Sequence, residues 1–232
     1  MNWKRERFQN FRLYAVTDLR KGGPDALDQV EAAMRGGVDI VQLRAKNLPD
    51  GPLYRLAVRA RRAATKYRVL LALNDRADLA LAAGVDILHI GQDDLPVSVV
   101  RRLVGRKMWL GKSTHSLEEM LRTAREAVEY LSVGPVFATP TKPHYQPVGL
   151  ELVRQAARRL RKPFVAIGGI DASTFGSVLA AGARRVAMVR AIFDAPDVES
   201  AARAFAERLR KAEGAEARPS RRQAAVAGAG RR

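Results

Sequence analysis

Two aspartates, Asp75 and Asp94, each follow a short apolar run and stand among amides and cations. Asn74-Asp75-Arg76 closes the run Val69 to Asp75, and His89-Ile90-Gly91-Gln92-Asp93-Asp94 continues the run from Ile87 to Gly91. Carboxylate oxygens on adjacent strand ends suit Mg²⁺, a hard cation that keeps several waters and binds one or two carboxylates plus substrate phosphates. Taken alone the pair has a second reading: Asp75 could cap a helix beginning near Ala77, and Asp93 or Asp94 the one following Pro96. The segment Gln42-Leu43-Arg44-Ala45-Lys46 adds an amide and two cations that strand alternation turns to one side, unless they are simply exposed strand-end charge. Hydroxyls and lysine suited to phosphate oxygens follow in Gly111-Lys112-Ser113-Thr114-His115-Ser116 and in Ala138-Thr139-Pro140-Thr141-Lys142. Finally Gly168-Gly169 and Met188-Val189-Arg190-Ala191 offer backbone N–H groups to an anion.

These residues need a scaffold that gathers strand ends. Eight apolar or β-branched runs alternate with segments of helical periodicity: Leu13 to Asp18, Val38 to Arg44, Val69 to Asp75, Ile87 to Gly91, Met108 to Thr114, Tyr130 to Phe137, Phe164 to Ile170 and Arg185 to Ile192. Leu53 to Lys66 and Leu117 to Glu129 show the helical spacing most plainly. Glycine recurs at the helix-to-strand joints Gly37-Val38, Gly84-Val85 and Gly182-Ala183, where it ends a helix in the left-handed conformation. An open doubly wound sheet would want GxGxxG after the first strand, and none is present. A single closed (β/α)8 TIM barrel is the fold expected, with a basic N-terminal extension over 1–12, a catalytic domain over 13–211 and an Ala/Gly/Arg-rich, disordered tail over 212–232. In such a barrel the C-terminal strand ends carry the site, and the loops after strands seven and eight often form a phosphate cup. A diphosphate-plus-metal site over strands two to six and a monophosphate site over strands six to eight follow from position, and imply two phosphorylated small-molecule substrates.

Composition narrows the alternatives. Apolar residues make up 47% of the 232, yet no stretch is long enough to cross a bilayer, so no membrane association is expected. The opening MNWKRERFQNFR lacks the apolar run of a secretory signal, and the absence of cysteine excludes disulfides and thiol catalysis, which is compatible with the cytoplasm. The net charge of +17 would suit a nucleic-acid binder. Much of it, however, lies at helical spacing in Arg55, Arg59, Arg62 and in Arg154, Arg158, Arg161, as on solvated faces, and the scattered aromatics form no stacking platform, so no specific nucleic-acid partner is expected. GxxxxGK[ST], GxSxG and HExxH are all absent, which removes P-loop, serine-hydrolase and zinc-protease chemistry.

From about Leu13 to Leu209 the motifs YAVTD, QLRAK, LNDRADLALAAG, HIGQDDLP, GKSTHS, GPVFATPTK and AIGGI, in this order, resemble the thiamine-phosphate synthase family. The resemblance implies a transferase that joins 4-amino-2-methyl-5-(diphosphooxymethyl)pyrimidine to a thiazole phosphate, releasing diphosphate with Mg²⁺ as cofactor. By the same resemblance Gln42, Arg44, Lys46, Asn74, Ser113 and Lys142 match contacts to the pyrimidine diphosphate, with Arg44, Lys46, Ser113 and Lys142 taking the catalytic part. Asp75 and Asp94 match the metal ligands, and Thr139, Pro140, Thr141, Gly169, Val189 and Arg190 match the thiazole-phosphate site. Arg190 stands where the family usually has a small residue, and Asp93 where it usually has glutamate. A related thiazole tautomerase shares the barrel and uses a histidine matching His115. QLRAK and GQDD separate the two, because that relative lacks the full diphosphate and metal apparatus. A basic barrel that has lost catalysis and binds nucleic acid or a protein partner is the third expectation, opposed by the intact metal and anion residues.

Overall fold

Strand alternation divides the apolar residues of this chain between two cores. In the computed structural model, which describes residues 3–19, 26–141 and 145–216, eight parallel strands close in sequence order into a barrel. They are β1 (Leu13–Val16), β2 (Ile40–Leu43), β3 (Leu70–Asn74), β4 (Ile87–Ile90), β5 (Trp109–Thr114), β6 (Tyr130–Val133), β7 (Phe164–Ile167) and β8 (Val186–Met188). One set of alternate residues, including Tyr14, Ile40, Leu70, Ile87, Tyr130, Val165 and Ala187, fills the barrel interior. The other set, including Leu13, Val41, Leu71, Leu88, Leu110, Leu131 and Val186, faces the surrounding helices and forms the larger core. A one-residue register slip would exchange the two sets, so burial on both faces fixes the register.

The outer ring comprises α2 (Ala26–Arg35), α3 (Asp50–Tyr67), α4 (Ala77–Ala83), α5 (Val97–Val104), α6 (Leu117–Thr123), α7 (Gly149–Arg159), α8 (Phe175–Ala180), the short α9 (Arg190–Phe193) and α10 (Val198–Glu216). Gly37, Gly84 and Gly182 have φ of 92°, 64° and 97°, the left-handed state expected where these helices give way to strands. Arg55, Arg59, Arg62, Arg154, Arg158 and Arg161 are all exposed, so these charges lie on solvated faces.

The boundaries differ from expectation in instructive ways. Seven of the strands stop short of the expected C-terminal limit, with β8 among the sharpest cases, ending at Met188; Arg190 opens a helix instead of continuing a strand to Ile192. Apolar residues beyond a strand end are buried by loops as readily as by a sheet, and run length alone does not separate the two. The helix expected to reach Glu129 ends at Thr123. At the other end of the chain, α10 continues to Glu216 through Ala212, Glu213 and Ala215, residues with high or adequate helix propensity, so the first part of the expected tail is helical. Residues 217–232 lie outside the described residues.

The basic segment before β1 is also more than an extension. It contains α1 (Trp3–Asn10), whose Phe8 is buried and stacks on Trp109 with centroids 4.4 Å apart. Phe8 and Phe11 join the interior core and close the N-terminal end of the barrel. The C-terminal strand ends carry the cavity described below.

Candidate active site

A cavity of about 350 Å³ occupies the C-terminal mouth, lined by Gln42, Arg44, Asn74, Ser113, His115, Thr139, Thr141, Gly169, Val189 and Arg190 among others. Its floor is polar, and one glycine makes that possible. His89, Gly111 and Tyr130 are register partners on β4, β5 and β6, so all three positions face inward. A Cβ on Gly111 would lie 2.1 Å from Tyr130 Cζ; with none there, the phenol lies across the vacated position. Its hydroxyl reaches both the Tyr14 hydroxyl at 3.0 Å and His89 Nδ1 at 2.8 Å. Gln42 Nε2 donates to Tyr14 at 2.8 Å, His89 Nε2 lies 3.0 Å from Ser113 Oγ, and Ser132 Oγ donates to Ser113 Oγ at 3.3 Å. Burial drives the Tyr14 and Tyr130 hydroxyls well above the ordinary phenol range, so both remain neutral proton carriers at physiological pH.

The acidic rim is built differently. Asp75 follows β3 with φ of 64°, a conformation rare outside glycine, and its backbone N–H donates to His89 O at 2.8 Å. That turn brings its carboxylate against Asp94, while Lys46 Nζ approaches at 3.3 Å. Burial and then the Asp94 charge raise Asp75 above the usual carboxylate range, with Lys46 opposing them. Asp94 Oδ2 accepts from Gly91 N–H at 2.6 Å, which holds the loop after β4 in place. Neither aspartate caps a helix: the N-cap residues of α4 and α5 are Arg76 and Pro96, both without a side-chain cap. Asp93 is exposed whereas Asp94 is half-buried. Among the described residues no cluster of three or more His, Cys, Asp or Glu could hold a metal ion. Among these residues, Asp75 and Asp94 are the carboxylates that a cation here would meet.

The expected alignment of Gln42, Arg44 and Lys46 is met in part. Gln42 and Arg44 line the cavity, Arg44 paired with Asp18 at 3.2 Å, whereas Lys46 lies beyond the end of β2 and reaches Asp75 from the rim. Alternation fixes side-chain direction only while the strand lasts, and β2 ends at Leu43. Lys112 points away from the cavity and pairs with Glu126 at 3.1 Å. On the opposite wall Thr139 and Thr141 face the cavity, with Thr141 Oγ1 buried and without a partner among the described residues. Gly169 has φ of 64°, and a Cβ there would meet Phe137 Cβ at 2.7 Å, so the backbone after β7 approaches this wall as only glycine allows. Val189 immediately precedes α9, and the Arg190 side chain is exposed. Lys142 lies outside the described residues.

A family model described as thiamine monophosphate synthase matches residues 13–192. The chain belongs to the thiamine monophosphate synthase family. The thiamine-phosphate synthase of Thermus thermophilus is 50% identical over 201 residues, covering 85% of this chain and 97% of the relative. That of Mycolicibacterium smegmatis is 48% identical over 207 residues, covering 85% and 91%. Among solved structures, the thiamine phosphate pyrophosphorylase from Pyrococcus furiosus superposes with a TM-score of 0.80 at 31% identity, over 87% of this chain and 96% of that one. Membership makes the chain a transferase of thiamine biosynthesis, and these likenesses lend no support to the tautomerase alternative. Among the described residues no helix is long and apolar enough to cross a membrane.

For this family member, the structure brings Gln42, Arg44, Asn74, Ser113, Thr139, Thr141, Gly169, Val189 and Arg190 to one cavity, with Lys46, Asp75 and Asp94 grouped beside one another. Pro140 joins two cavity-lining threonines. Sequence reasoning passed over Tyr14, His89, Tyr130 and Ser132. The signal was available in principle: each is a polar-tipped residue at an inward position of an otherwise apolar strand. Finding them required knowing which parity faces inward.

Proposed function

We propose that this chain condenses 4-amino-2-methyl-5-(diphosphooxymethyl)pyrimidine with a thiazole phosphate, giving thiamine phosphate and diphosphate with Mg²⁺ as cofactor. The observation that carries this reading is the cavity at the C-terminal strand ends, lined by Arg44, Asn74 and Ser113 and by Thr139, Thr141 and Gly169, with the paired carboxylates of Asp75 and Asp94 and Lys46 following directly on the strands that line it. Asp75 and Asp94 fit the metal by the chemistry of their donors, since two hard carboxylates held against each other are relieved by a divalent cation. When bound, Mg²⁺ supplies charge neutralisation to the diphosphate oxygens.

The protein residues do the rest. Arg44, Lys46, Ser113 and Lys142 stabilise negative charge developing on diphosphate as its bond to the exocyclic methylene breaks. Gln42 and Asn74 orient the aminopyrimidine, whose electron-rich ring carries the resulting positive charge. Thr139, Pro140, Thr141, Gly169 and the Val189–Arg190 backbone hold the thiazole phosphate so that its ring nitrogen forms the new C–N bond. No protein nucleophile is required. Apolar wall residues Val16, Val165, Ile167 and Met188 help keep water from capturing the cation. By the same reading the enzyme acts in the cytoplasm, consistent with a chain that has no cysteine. The test is formation of thiamine phosphate and diphosphate from the two purified substrates with Mg²⁺; binding of both without turnover would end this reading.

A further inference from the structure

The floor of the cavity holds an unbroken chain of hydrogen-bonding groups: Gln42, Tyr14, Tyr130, His89 and Ser113, with Ser132 beyond. Every hydroxyl has one proton, and a neutral imidazole has one proton for its two nitrogens. Such a chain can point in only one direction at a time. Gln42 Nε2 donates to the Tyr14 oxygen. If Tyr14 then gives its proton to Tyr130, Tyr130 gives its own to His89 Nδ1, and His89 carries its proton on Nε2 and donates to Ser113 Oγ. Ser113 also accepts from Ser132. Its own O–H is then left to donate into the cavity, while the Gln42 carbonyl oxygen faces the cavity as an acceptor. Turning the Gln42 amide over reverses every step: its oxygen accepts from Tyr14, His89 holds its proton on Nδ1, and Ser113 donates to His89 Nε2. The cavity then meets an amide donor at Gln42 and no donor at Ser113. An intermediate arrangement would leave a buried hydroxyl without an acceptor, which is costly.

We infer that this chain couples recognition at its two ends, so that an N–H donor on the ligand at Gln42 and an anionic oxygen at Ser113 are accepted together. The inference rests on the proposed function for the identity of the ligand, an aminopyrimidine diphosphate, which carries both groups. A pyrimidine with a carbonyl in place of the amine calls for the reversed chain and so withdraws the Ser113 proton from the diphosphate. His89, Tyr130 and Tyr14 are positioning residues in this scheme. They set the direction of the chain and touch neither reacting centre.

The decisive readout is the tautomer of His89, because packing alone would not change it. The chain has three histidines, so their ring nitrogens can be resolved by ¹⁵N NMR. At pH 8 the wild type should carry the His89 proton on Nε2. Gln42→Glu, which can only accept from Tyr14 when ionised, should move that proton to Nδ1, although residue 42 is separated from His89 by two tyrosines. In Tyr130→Phe the link is cut, and adding Gln42→Glu should leave the tautomer of the single Tyr130→Phe variant unchanged. Tyr130→Phe should also lower kcat/KM for the pyrimidine diphosphate about tenfold. An Nδ1–H imidazole in the wild type, the same tautomer in wild type and Gln42→Glu, or full activity in Tyr130→Phe would each overturn the proposal. The NMR arms need no substrate, so an absence of wild-type turnover would count against the proposed function and leave the coupling to be decided by the spectra.

Discussion

At the N-terminal end of the barrel Asp39 and Asp86 are surrounded by donors, whereas at the C-terminal end Asp75 and Asp94 face each other. Asp39 accepts from Arg7 at 2.7 Å and from the backbone N–H of Arg12 and Leu13 at 2.8 and 3.0 Å. Asp86 accepts from Lys4 at 2.8 Å and from Leu71 N–H at 3.1 Å. Those two tie α1 and the strand starts together, and their charges are satisfied inside the protein. Asp75 has a like charge as a neighbour, a left-handed backbone and one half-exposed lysine. One residue type thus serves the fold at one end, while at the other it is held against a like charge.

The largest effects should come from exchanging these conditions. On the proposed function, Asp94→Ala should reduce turnover at least about a hundredfold, because it would remove a ligand of the cation that neutralises the leaving group. It should leave the barrel folded, since removing one of two facing carboxylates relieves repulsion and the lost contact from Gly91 N–H is confined to the loop after β4. Activity and thermal melting of the metal-free protein check both halves; full activity in the presence of a chelator would sink the metal assignment. Asp86→Ala should do the opposite. It removes the buried carboxylate that accepts from Lys4 and from the Leu71 N–H, for a loss of about 3 kcal/mol in stability, with turnover per folded molecule changed less than about twofold. Urea unfolding alongside kinetics tests it, and a large activity loss at unchanged stability would erase the contrast between the ends.

The distinction was only half legible in the sequence. The eight βα units and the recurrence of residues such as Gly37 and Gly84 were readable, because apolar alternation and helix-ending glycines are local properties. Gln42 and Ser113 were readable as cavity residues, since both lie within strands where alternation holds. The direction of Lys46 was not readable from alternation, because it lies past the end of β2, and Arg190 was assigned to a strand although it begins α9. The choice between cap and ligand for Asp75 was beyond the sequence as well: it turns on a positive φ and on an approach to Asp94 from the neighbouring strand. The floor network escaped for a related reason. Tyr14 and Tyr130 are 116 residues apart and meet only because Gly111 leaves room in the closed barrel.

A pH series gives a smaller and more specific test of the acidic rim. Burial and Asp94 raise Asp75 in the metal-free fold, so folding favours its protonated form. The stability contributed by protonated Asp75 is present at low pH and lost as pH rises through its raised value, and Asp75→Asn should flatten that dependence. Mg²⁺ competes with the same proton, so its affinity should fall as pH is lowered through that range. Calorimetric titration with Mg²⁺ at several pH values reads the slope. An affinity independent of pH would place the cation elsewhere.

The smallest effect concerns the opposite wall. The resemblance leads one to expect a small residue where Arg190 stands, yet Arg190 is exposed at the start of a helix whose first residues, together with Gly169, line the cavity. If the phosphate is held mainly by backbone N–H groups and the Thr139 and Thr141 hydroxyls, the guanidinium adds only a screened surface attraction. Arg190→Ser should then raise KM for the thiazole phosphate no more than about threefold at physiological ionic strength, with kcat unchanged and the difference shrinking as salt is added. Steady-state kinetics at two salt concentrations separate the possibilities. A tenfold or larger rise that persists in high salt would mean that the arginine grips the phosphate directly, making this wall dependent on a side-chain charge in the way the acidic rim is.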